Sequence, residues 1–188
     1  MDDFYIRKVL AGDKDAFRYF LNQYKDMAFT VAMSVVKDEF AAQEIVQDSF
    51  VKVFIHLKRF NKKSSFRTWF YRIVVNESLM RLKKLEREII FFAPDYKDEI
   101  VDETAILSLQ KDEQNHLINE ALQMLLPKES LVLRLFYLQE ESIKQVCEIT
   151  GWTETNTKVL LHRARKHMLM ACKKIMEVQF KNVSNDNK

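Results

Sequence analysis

The apolar residues of this chain recur at the three-to-four-residue spacing of amphipathic helices, in blocks separated by few turn residues. This pattern predicts a short N-terminal helix and then helices at about 13–37, 41–59 and 65–88. Further along it predicts helices at about 105–125, 127–138, 142–150 and 154–177. Only two Gly and two Pro occur in 188 residues, which disfavours a turn-rich β fold. We therefore predict an all-α protein.

Several residues mark where these helices begin and end. Pro127 suits a first helical position, where its missing N–H is no loss. Ser142 and Gln145 have the spacing of a capping box, and Gly151 is placed to end the same helix. The polar tail NVSNDNK predicts a frayed end.

Charge divides the chain into three parts. The net charge is +5 over residues 1–92, −5 over 93–113 and +3 over 114–188. The acidic part opens at Pro94 and has no sustained apolar stripe before Ile106, which is typical of a linker. We predict two small helical domains, 1–92 and 114–177, joined by the acidic linker 93–113 and followed by a polar tail, 178–188. The alternative is a loop with a short helix inside one domain, which the charge swing disfavours.

The sequence also limits the class of protein. No apolar run approaches the roughly 18 residues that span a bilayer, and the acidic start MDDFY lacks the features of a signal peptide, so we expect a soluble cytoplasmic chain without membrane insertion. Cys147 and Cys172 are isolated, which predicts neither a disulfide framework nor a zinc site. The sequence has no Gly-rich phosphate loop, no H-E-x-x-H motif and no nucleophile with its base. We therefore predict that the protein is not an enzyme and that it binds no cofactor and no metal.

The segment SIKQVCEITGWTETNTKVLLHRARKHM has the layout of a helix-turn-helix: a short helix, a glycine turn, a cap at Thr153 and a long second helix. One side of the second helix forms a predicted buried stripe of Thr157, Leu160, Leu161, Ala164, Met168, Ala171 and Ile175. The opposite side is basic and free of acids, with Thr155, Val159, His162 and Lys166 flanked by Lys158, Arg163 and Arg165. Such a face attracts phosphates, although a solvated basic helix is the plainer alternative.

The longer string LPKESLVLRLFYLQEESIKQVCEITGWTETNTKVLLHRARKHM resembles the fourth region of bacterial sigma factors of the extracytoplasmic-function (ECF) group, within the sigma-70 superfamily. Such domains read the −35 promoter element. The resemblance implies that −35 DNA is contacted by Thr155, Asn156, Lys158, Val159 and Arg163, and the basic face of the helix adds His162 and Lys166 to the predicted −35 residues. The usual Gly-Thr-Val-Lys-Ser-Arg run is replaced here over 155–160, so Val159 and Leu160 stand where a small polar residue and an Arg are usual. Val159 could instead contact a thymine methyl group.

The predicted helix 41–59 has a core stripe of Val46, Ser49, Phe50, Val53 and Leu57. Its far side mixes acids with two β-branched apolar residues, and comprises Glu44, Gln47, Asp48, Val51 and Ile55. Acidic and apolar exposure together suit a protein partner and oppose DNA. Alternatively, Val51 and Ile55 pack against the N-terminal helix. The string AAQEIVQDSFVKVFIHLKRF resembles the second-region helix that docks on the clamp of the polymerase largest subunit, which implies polymerase binding by Glu44, Gln47, Asp48 and Val51.

The predicted helix 65–88 is rich in rings and cations. The rings Phe66, Trp69 and Phe70 lie with Ile73 on one side, and Tyr71, Val75 and Leu82 form a second apolar strip, so we predict burial on two sides. Between these two apolar sides, a narrow line of residues remains on the helix surface, formed by Arg72, Asn76, Leu79 and Lys83. Asn76 can donate to and accept from a base edge while Arg72 and Lys83 hold the backbone, or it can be a solvated mid-helix Asn.

FRTWFYRIVVNESLMRLKK is similar to the sigma-factor segments that melt and read the −10 element, and the loop NKKSS precedes it. In the family this loop helps to hold a flipped base of the non-template strand. The resemblance implies −10 contacts from Lys62, Lys63, Ser64, Ser65 and Asn76, and the polar line of the helix adds Arg72 and Lys83 to the predicted −10 residues. Flipping costs a few kcal/mol of unstacking, which phosphate contacts must offset.

The resemblance covers about 16–168 and implies a non-enzymatic sigma factor that binds core RNA polymerase and promoter DNA, recognises −35 and −10 elements and aids strand opening. Its polymerase partners would be the largest-subunit clamp helices and the flap of the second-largest subunit, and its antagonist an anti-sigma factor that can hold it at the membrane. The two elements lie roughly 60 Å apart at 3.4 Å per base pair, which about twenty extended linker residues can span. The alternative from another class is a free-standing helix-turn-helix regulator with a sensory or dimerising N-terminal domain.

Overall fold

The computed structural model describes residues 1–86 and 111–186, and these residues form helices and turns without a strand. The α-helices are α1 (Asp2–Leu10), α2 (Arg18–Val36), α3 (Glu39–His56), α4 (Phe66–Glu86), α5 (Lys111–Met124), α6 (Pro127–Leu133), α7 (Ile143–Thr150) and α8 (Glu154–Asp186). The all-α prediction is thus confirmed. None of the described helices is both long and apolar enough to cross a membrane.

The helix ends differ from the predicted ones in a few places. The first long helix begins with a 3-10 turn, Lys14–Phe17, because the Asp13 carboxylate accepts a hydrogen bond from the Ala16 amide at 3.1 Å. The predicted helix 127–138 is α6 followed by a π-helical turn, Arg134–Leu138. α8 continues past the predicted end at 177 and takes in most of the tail that we expected to fray.

The predicted linker lies mostly outside the described residues. Residues 93–110 are not described, which also covers the predicted helical start at 105, and residues 111–113 belong to α5. The division of the chain at 93–113 therefore stays a prediction.

The N-terminal half is built on a cluster of aromatic rings. α2, α3 and α4 pack against one another, and their rings meet in the centre. The ring centroids of Phe20 and Phe66 are 4.4 Å apart, and those of Phe50 and Phe70 are 4.8 Å apart. Tilted and edge-on ring pairs of this kind add to the gain from burial. α1 packs outside this cluster through Tyr5, whose ring stacks on Tyr19 at 4.0 Å.

In the C-terminal half, α5, α6 and α7 all pack against α8. The predicted capping box of α7 is present, with the Ser142 hydroxyl accepting from the Gln145 amide and the Gln145 side chain accepting from Ser142. Gly151 ends α7 in the left-handed region at φ 74°, a conformation that costs other residues more. Pro127 occupies the first turn of α6, as predicted.

The two halves are in contact. α4 lies against α7 and α2 against α6, and the buried apolar residues of both halves form one continuous cluster. Polar contacts also cross between the halves, since the Lys37 ammonium at the end of α2 donates to the Leu122 carbonyl in α5. The helix-turn-helix therefore packs directly on the N-terminal half.

Candidate polymerase and nucleic-acid interfaces

α3 presents the face that the sequence assigns to a protein partner. The Asp38 carboxylate caps the helix by accepting from the Ala41 amide at 2.7 Å, which fixes where the helix begins. The predicted core stripe is buried except for Val46, which is half-buried, while Ala41, Ala42 and Ile45 are additional buried positions.

The opposite face of α3 is open to solvent. Glu44, Gln47 and Asp48 are exposed, and so are 56% of Val51 and 63% of Ile55. The alternative in which the two apolar residues pack against the N-terminal helix is therefore wrong. Glu44 accepts from the Arg81 guanidinium of α4 at 3.0 Å, which steadies one carboxylate of the face. Phe40, 80% exposed at the start of α3, was not predicted.

α4 is buried on two sides, as predicted. Phe66 and Phe70 are buried on one side, Tyr71, Val75 and Leu82 on the other, and Trp69 and Ile73 are half-buried. The remaining line of the helix presents exposed Arg72, Asn76 and Lys83, together with half-buried Leu79. Polar groups can thus meet a ligand while most rings serve the core.

The loop before α4 has a defined local geometry. The Asn61 side-chain oxygen accepts from the Lys63 amide at 3.2 Å, and Lys62 adopts the left-handed region at φ 60°. The Ser65 hydroxyl accepts from the Thr68 amide at 3.0 Å and so caps α4. Ser65, one of the predicted −10 residues, therefore also stabilises the start of α4.

The loop and α4 together form a surface concavity of about 490 Å³. We call it the −10 concavity; its lining residues are Arg59, Phe60, Asn61, Lys63, Ser64, Trp69, Arg72, Asn76 and, from α7, Glu148. Four predicted −10 residues are brought together here: Lys63, Ser64, Arg72 and Asn76. Lys83 lies about two turns further along α4 and lines no part of it.

Lys62 points to a neighbouring concavity shared with the N-terminus. Its ammonium pairs with Asp3 at 3.0 Å, and Ser64 and Ser65 line the same concavity. Asp2 accepts from the hydroxyls of Tyr19 and Tyr24, each at 2.8 Å. Burial, followed by this hydrogen bond to Asp2, raises the pKa of Tyr19 to about 12, so the tyrosine remains a donor at neutral pH. α1 thereby holds one side of the loop.

α8 presents the predicted basic face. The Thr153 hydroxyl accepts from the Asn156 amide at 3.3 Å, so the second helix is capped where the sequence predicts. The predicted stripe is buried apart from half-buried Met168, and Val159 is 60% exposed. The predicted −35 residues Thr155, Asn156, Lys158, Val159, His162, Arg163 and Lys166 are all exposed.

Arg163 is tied to a carboxylate that the sequence did not reveal. Glu129 in α6 is only 1% exposed, and it accepts from the Arg163 Nε at 3.0 Å and pairs with the His167 Nδ1 at 2.9 Å. A buried acid with two such partners holds α6 to α8 and sets the direction of Arg163. The only sequence signal was a Glu at the start of an apolar run.

An apolar groove of about 590 Å³ runs between α5, the π-helical turn and α8. Its lining includes Ile118, Leu122, Leu133, Leu138, Met168 and Leu169, with His162, Arg165 and Lys166 also contributing. The Arg165 guanidinium donates to the Tyr137 hydroxyl at 2.6 Å across the groove. No pattern in the sequence predicted this groove.

Known protein families match both the N-terminal and the C-terminal half of the chain. Family models described as Sigma-70 region 2 and Sigma-70, region 4 match residues 20–88 and 115–168. The ECF RNA polymerase sigma factor SigW of Bacillus subtilis is 27% identical over 86% of this chain and 91% of its own length. The sigma factor YlaC of the same organism is 30% identical over 66% of this chain and 73% of its own length.

Solved structures share the fold. A co-crystal structure of the sigma factor RpoE with the anti-sigma factor NepR from Bartonella quintana has a TM-score of 0.64 and 21% identity, and covers 84% of this chain and 96% of that chain. CnrH in complex with the cytosolic domain of CnrY has a TM-score of 0.56 and 17% identity, and covers 93% of this chain and 96% of that chain. Two matched regions in the right order and relatives aligned along most of the chain identify it as a member of the sigma-70 family, a non-enzymatic RNA polymerase sigma factor of the extracytoplasmic-function group.

Proposed function

We propose that this chain binds core RNA polymerase through α3 and directs transcription initiation by reading −10 DNA with the 61–65 loop and α4 and −35 DNA with α8. The observation that carries the proposal is the segregation of exposed chemistry. One helix face is acidic and apolar, whereas the loop, α4 and α8 expose cations and amides. Such separation suits one basic protein partner and two contacts with nucleic acid.

The α3 face supplies the polymerase contact. Glu44, Gln47 and Asp48 offer carboxylate and amide groups, and Val51 lies exposed beside them. By resemblance to the family, their partner is the basic clamp-helix surface of the largest subunit, so complementary charge favours encounter and register. We further infer that the apolar groove between α5 and α8 accepts the flap of the second-largest subunit, since an apolar concavity with a cationic rim suits an apolar helix.

The −10 concavity assists strand opening by binding a base that has left the duplex. A base turned out of the duplex can enter the space beside Trp69, where the Asn76 amide can both donate to and accept from its edge. Lys63 and Arg72 meet the phosphates on either side, and these contacts offset the few kcal/mol of unstacking. Lys62 and Lys83 extend the cationic surface along the strand.

The −35 contact is made by α8 in the major groove. Lys158, Arg163 and Lys166 neutralise phosphates, and Val159 lies against a thymine methyl group. Thr155 and Asn156 at the start of the helix contact the backbone, as is common for helix entrances. We also propose that 1–92 and 114–177 act as separate DNA-binding domains, with 93–113 spanning the interval between the two promoter elements.

We propose that an anti-sigma factor antagonises this chain in the bacterial cytoplasm and can hold it at the membrane. Support comes from the two solved structures that share its fold, in which the sigma factor RpoE is bound by the anti-sigma factor NepR, and CnrH by the cytosolic domain of CnrY. The surfaces for polymerase and for DNA are the ones that such an antagonist must cover.

In vitro transcription with core polymerase tests the overall function. We expect start sites that share two spaced upstream elements, and initiation that depends on the added protein. The free-standing regulator predicts tight duplex binding by the protein alone and no polymerase affinity. No initiation on any template, together with no binding to core polymerase, would reject the sigma function.

A pull-down with core polymerase tests the α3 assignment. The variant Glu44→Gln/Gln47→Ala/Asp48→Asn should lose polymerase binding and keep duplex binding by α8, because it changes only the acidic face. A control, Asp15→Asn/Glu39→Gln, removes two charges elsewhere on the exposed surface of the same half and should bind normally. Equal retention of both variants would contradict the assignment.

A further inference from the structure

A second concavity lies beside the −10 concavity, between the start of α1 and the 61–65 loop, and has a volume of about 530 Å³. We call it the α1 concavity; its lining residues are Met1, Asp2, Asp3, Phe60, Lys62, Ser64, Ser65 and Phe66. Phe60 and Ser64 also line the −10 concavity, and Lys62 lines the one space while Lys63 lines the other. A DNA strand that places a base in the −10 concavity therefore passes the opening of the α1 concavity.

The α1 concavity differs from the −10 concavity in its charge. The Asp3 carboxylate and the Lys62 ammonium lie 3.0 Å apart, and both side chains are more than half exposed. Ser64 and Ser65 add hydroxyl groups, each of which both donates and accepts. A negative, a positive and a hydroxyl group at one opening suit a neutral ligand with donors and acceptors side by side, whereas Asp3 repels a phosphate.

The start of α1 holds Asp3 in place. Asp2 accepts hydrogen bonds from the hydroxyls of Tyr19 and Tyr24, each at 2.8 Å, and the Tyr24 side chain is buried in the core. Further along α1, the Tyr5 ring stacks on the Tyr19 ring. Both contacts tie α1 to α2, so the backbone of Asp3 is fixed before a ligand arrives, and less conformational entropy is lost on binding.

An aromatic ring forms the wall between the two concavities. Phe60 is half-buried, and its ring centroid lies 5.2 Å from that of Trp69 and 5.9 Å from that of Phe66. These two rings hold Phe60 in position, while part of its surface lines both concavities. Exposed flat rings stack on unpaired bases of any kind. The α1 concavity therefore offers a stacking surface next to a hydrogen-bonding pair, which is the combination that binds an unpaired nucleobase.

The pair of Asp3 and Lys62 matches the edge of guanine better than the edges of the other bases. Guanine presents its O6 acceptor, its N1–H donor and its N2 amino donor in a row, so Lys62 can donate to O6 while the two carboxylate oxygens of Asp3 accept from N1 and N2. Thymine offers the first two of these contacts, but its O2 acceptor then faces a carboxylate oxygen. Adenine and cytosine offer one contact to each partner. An exposed ion pair is weak enough to be shared with a base in this way.

We propose that the α1 concavity is a second base-binding site, in which Asp3 and Lys62 bind an unpaired guanine next to the base that occupies the −10 concavity. α1 thereby takes part in promoter selection, and promoters that carry guanine at that position are favoured. The inference rests on the proposed −10 role of the loop and α4, because the same strand must lie across both concavities. All residues that line the α1 concavity belong to 1–66, so the free chain is sufficient to test it.

Fluorescence anisotropy of labelled 12-nucleotide oligothymidines tests the site in the full chain. One probe carries a single central deoxyguanosine, and its match carries deoxyinosine, which lacks only the N2 amino group. We expect the chain to bind the guanine probe roughly fivefold more tightly, because inosine loses one hydrogen bond to the Asp3 carboxylate. Equal affinities for the two probes would overturn the proposal.

Variants of Asp3 separate a base contact from a general effect of charge. Asp3→Ala should abolish the preference for guanine over inosine, and Asp3→Glu should keep most of it, because only the latter retains a carboxylate. Asp15→Ala is the matched control, since it removes an exposed acid of the same half and should leave the preference unchanged. A preference that survives in Asp3→Ala would show that another residue binds the guanine and would overturn the assignment.

The double variant Arg72→Ala/Asn76→Ala distinguishes this inference from the −10 role on which it rests. It should weaken the binding of both probes alike and leave the ratio of their affinities unchanged, because these two residues line the −10 concavity and not the α1 concavity. A ratio that falls to one in this variant would overturn the separate guanine site. Unchanged binding of both probes would reject the −10 role alone, since the ratio still reports the α1 concavity.

Discussion

Glu129 illustrates how much depends on single charged residues in this protein. Its carboxylate is buried under α8, accepts from the Arg163 Nε and lies 2.9 Å from the His167 Nδ1, so one α6 side chain fixes two side chains of α8. Arg163 is itself about half exposed, which leaves part of its guanidinium for a phosphate. The buried acid therefore sets the direction of the Arg163 guanidinium, which we propose contacts DNA.

Replacing Glu129 with Gln should lower the free energy of unfolding by about 1–3 kcal/mol, because the amide replaces one of the two acceptor oxygens of the carboxylate with an NH2 group. Urea denaturation followed by circular dichroism measures this change. Glu177→Gln, an exposed Glu on α8, should have almost no effect. Equal stability of the two variants would contradict the positioning role.

Lys37 should make the separation of the two halves depend on pH. Burial, followed by the nearby charge of Arg134, lowers the pKa of Lys37 from 10.5 to about 7 in the packed chain. A lowered pKa means that the packed state binds the proton less well than the open state. Raising the pH from 7 towards 10 should therefore favour packing, by up to about tenfold per pH unit.

The variant Lys37→Met isolates this effect from the other titrating groups. In small-angle scattering between pH 6 and 9, the wild-type radius should fall as pH rises through 7, and the variant should lose that component. Glu141 and Arg67 also lie between the halves, so the difference between the two proteins is the quantity to compare. Identical pH profiles would refute the role of Lys37.

At the scale of elements, each helix divides its surface between packing and binding. α3 buries one side and exposes acids and apolar groups, whereas α8 buries one side and exposes cations. Helical periodicity produces this division, since residues three and four apart share a face. The two helices thereby expose different chemical groups, and we propose that they bind different partners.

The exposed cations of α8 should determine how steeply DNA binding falls with salt. Lys158→Ala should reduce the slope of log K against log salt concentration on duplex −35 DNA by about 0.9, the value for one phosphate contact. Its ion pair with Glu154, at 2.6 Å, is exposed and weak enough to be exchanged for a phosphate. Lys128→Ala on α6 is the control and should leave the slope unchanged; equal slopes for both variants would argue against a Lys158–phosphate contact.

At the scale of the whole molecule, the relation between the two halves decides what the protein can bind. The packed arrangement joins α4 to α7, whereas promoter recognition requires the two DNA faces to lie far apart. We propose that residues 93–113 provide the length for that separation, and that their acidic charge keeps them away from the DNA phosphates.

Because the two DNA-binding faces must reach two separate elements, we predict that transcription depends on the spacing between these elements. Inserting about five base pairs between the mapped elements turns one face of the duplex by roughly half a helical turn relative to the other. We expect transcription to fall at least tenfold, since α8 and α4 then face opposite sides of the DNA. Quantitative in vitro transcription measures the loss, with a one-base-pair insertion as the milder comparison; unchanged output would show that only one half reads DNA.

Local physics explains why so much was predictable from the sequence. The helix faces of α3, α4 and α8 follow from a repeat of 3.6 residues, and the ends at Ser142 and Gly151 follow from caps that act within four residues. The cationic face of α8 and the acidic face of α3 were identified in this way. Their partners were suggested by resemblance to the sigma-70 family.

Contacts between distant positions were decided only by the tertiary structure. Arg163 meets Glu129 across 34 positions, Arg67 meets Gln139 across 72, and Lys37 meets Leu122 across 85. No periodicity links such residues, because their approach depends on how whole helices pack and on which polar groups need a partner once buried. The sequence by itself determined the helices and the chemistry of their faces, and packing decided that Glu148 lies over the −10 concavity.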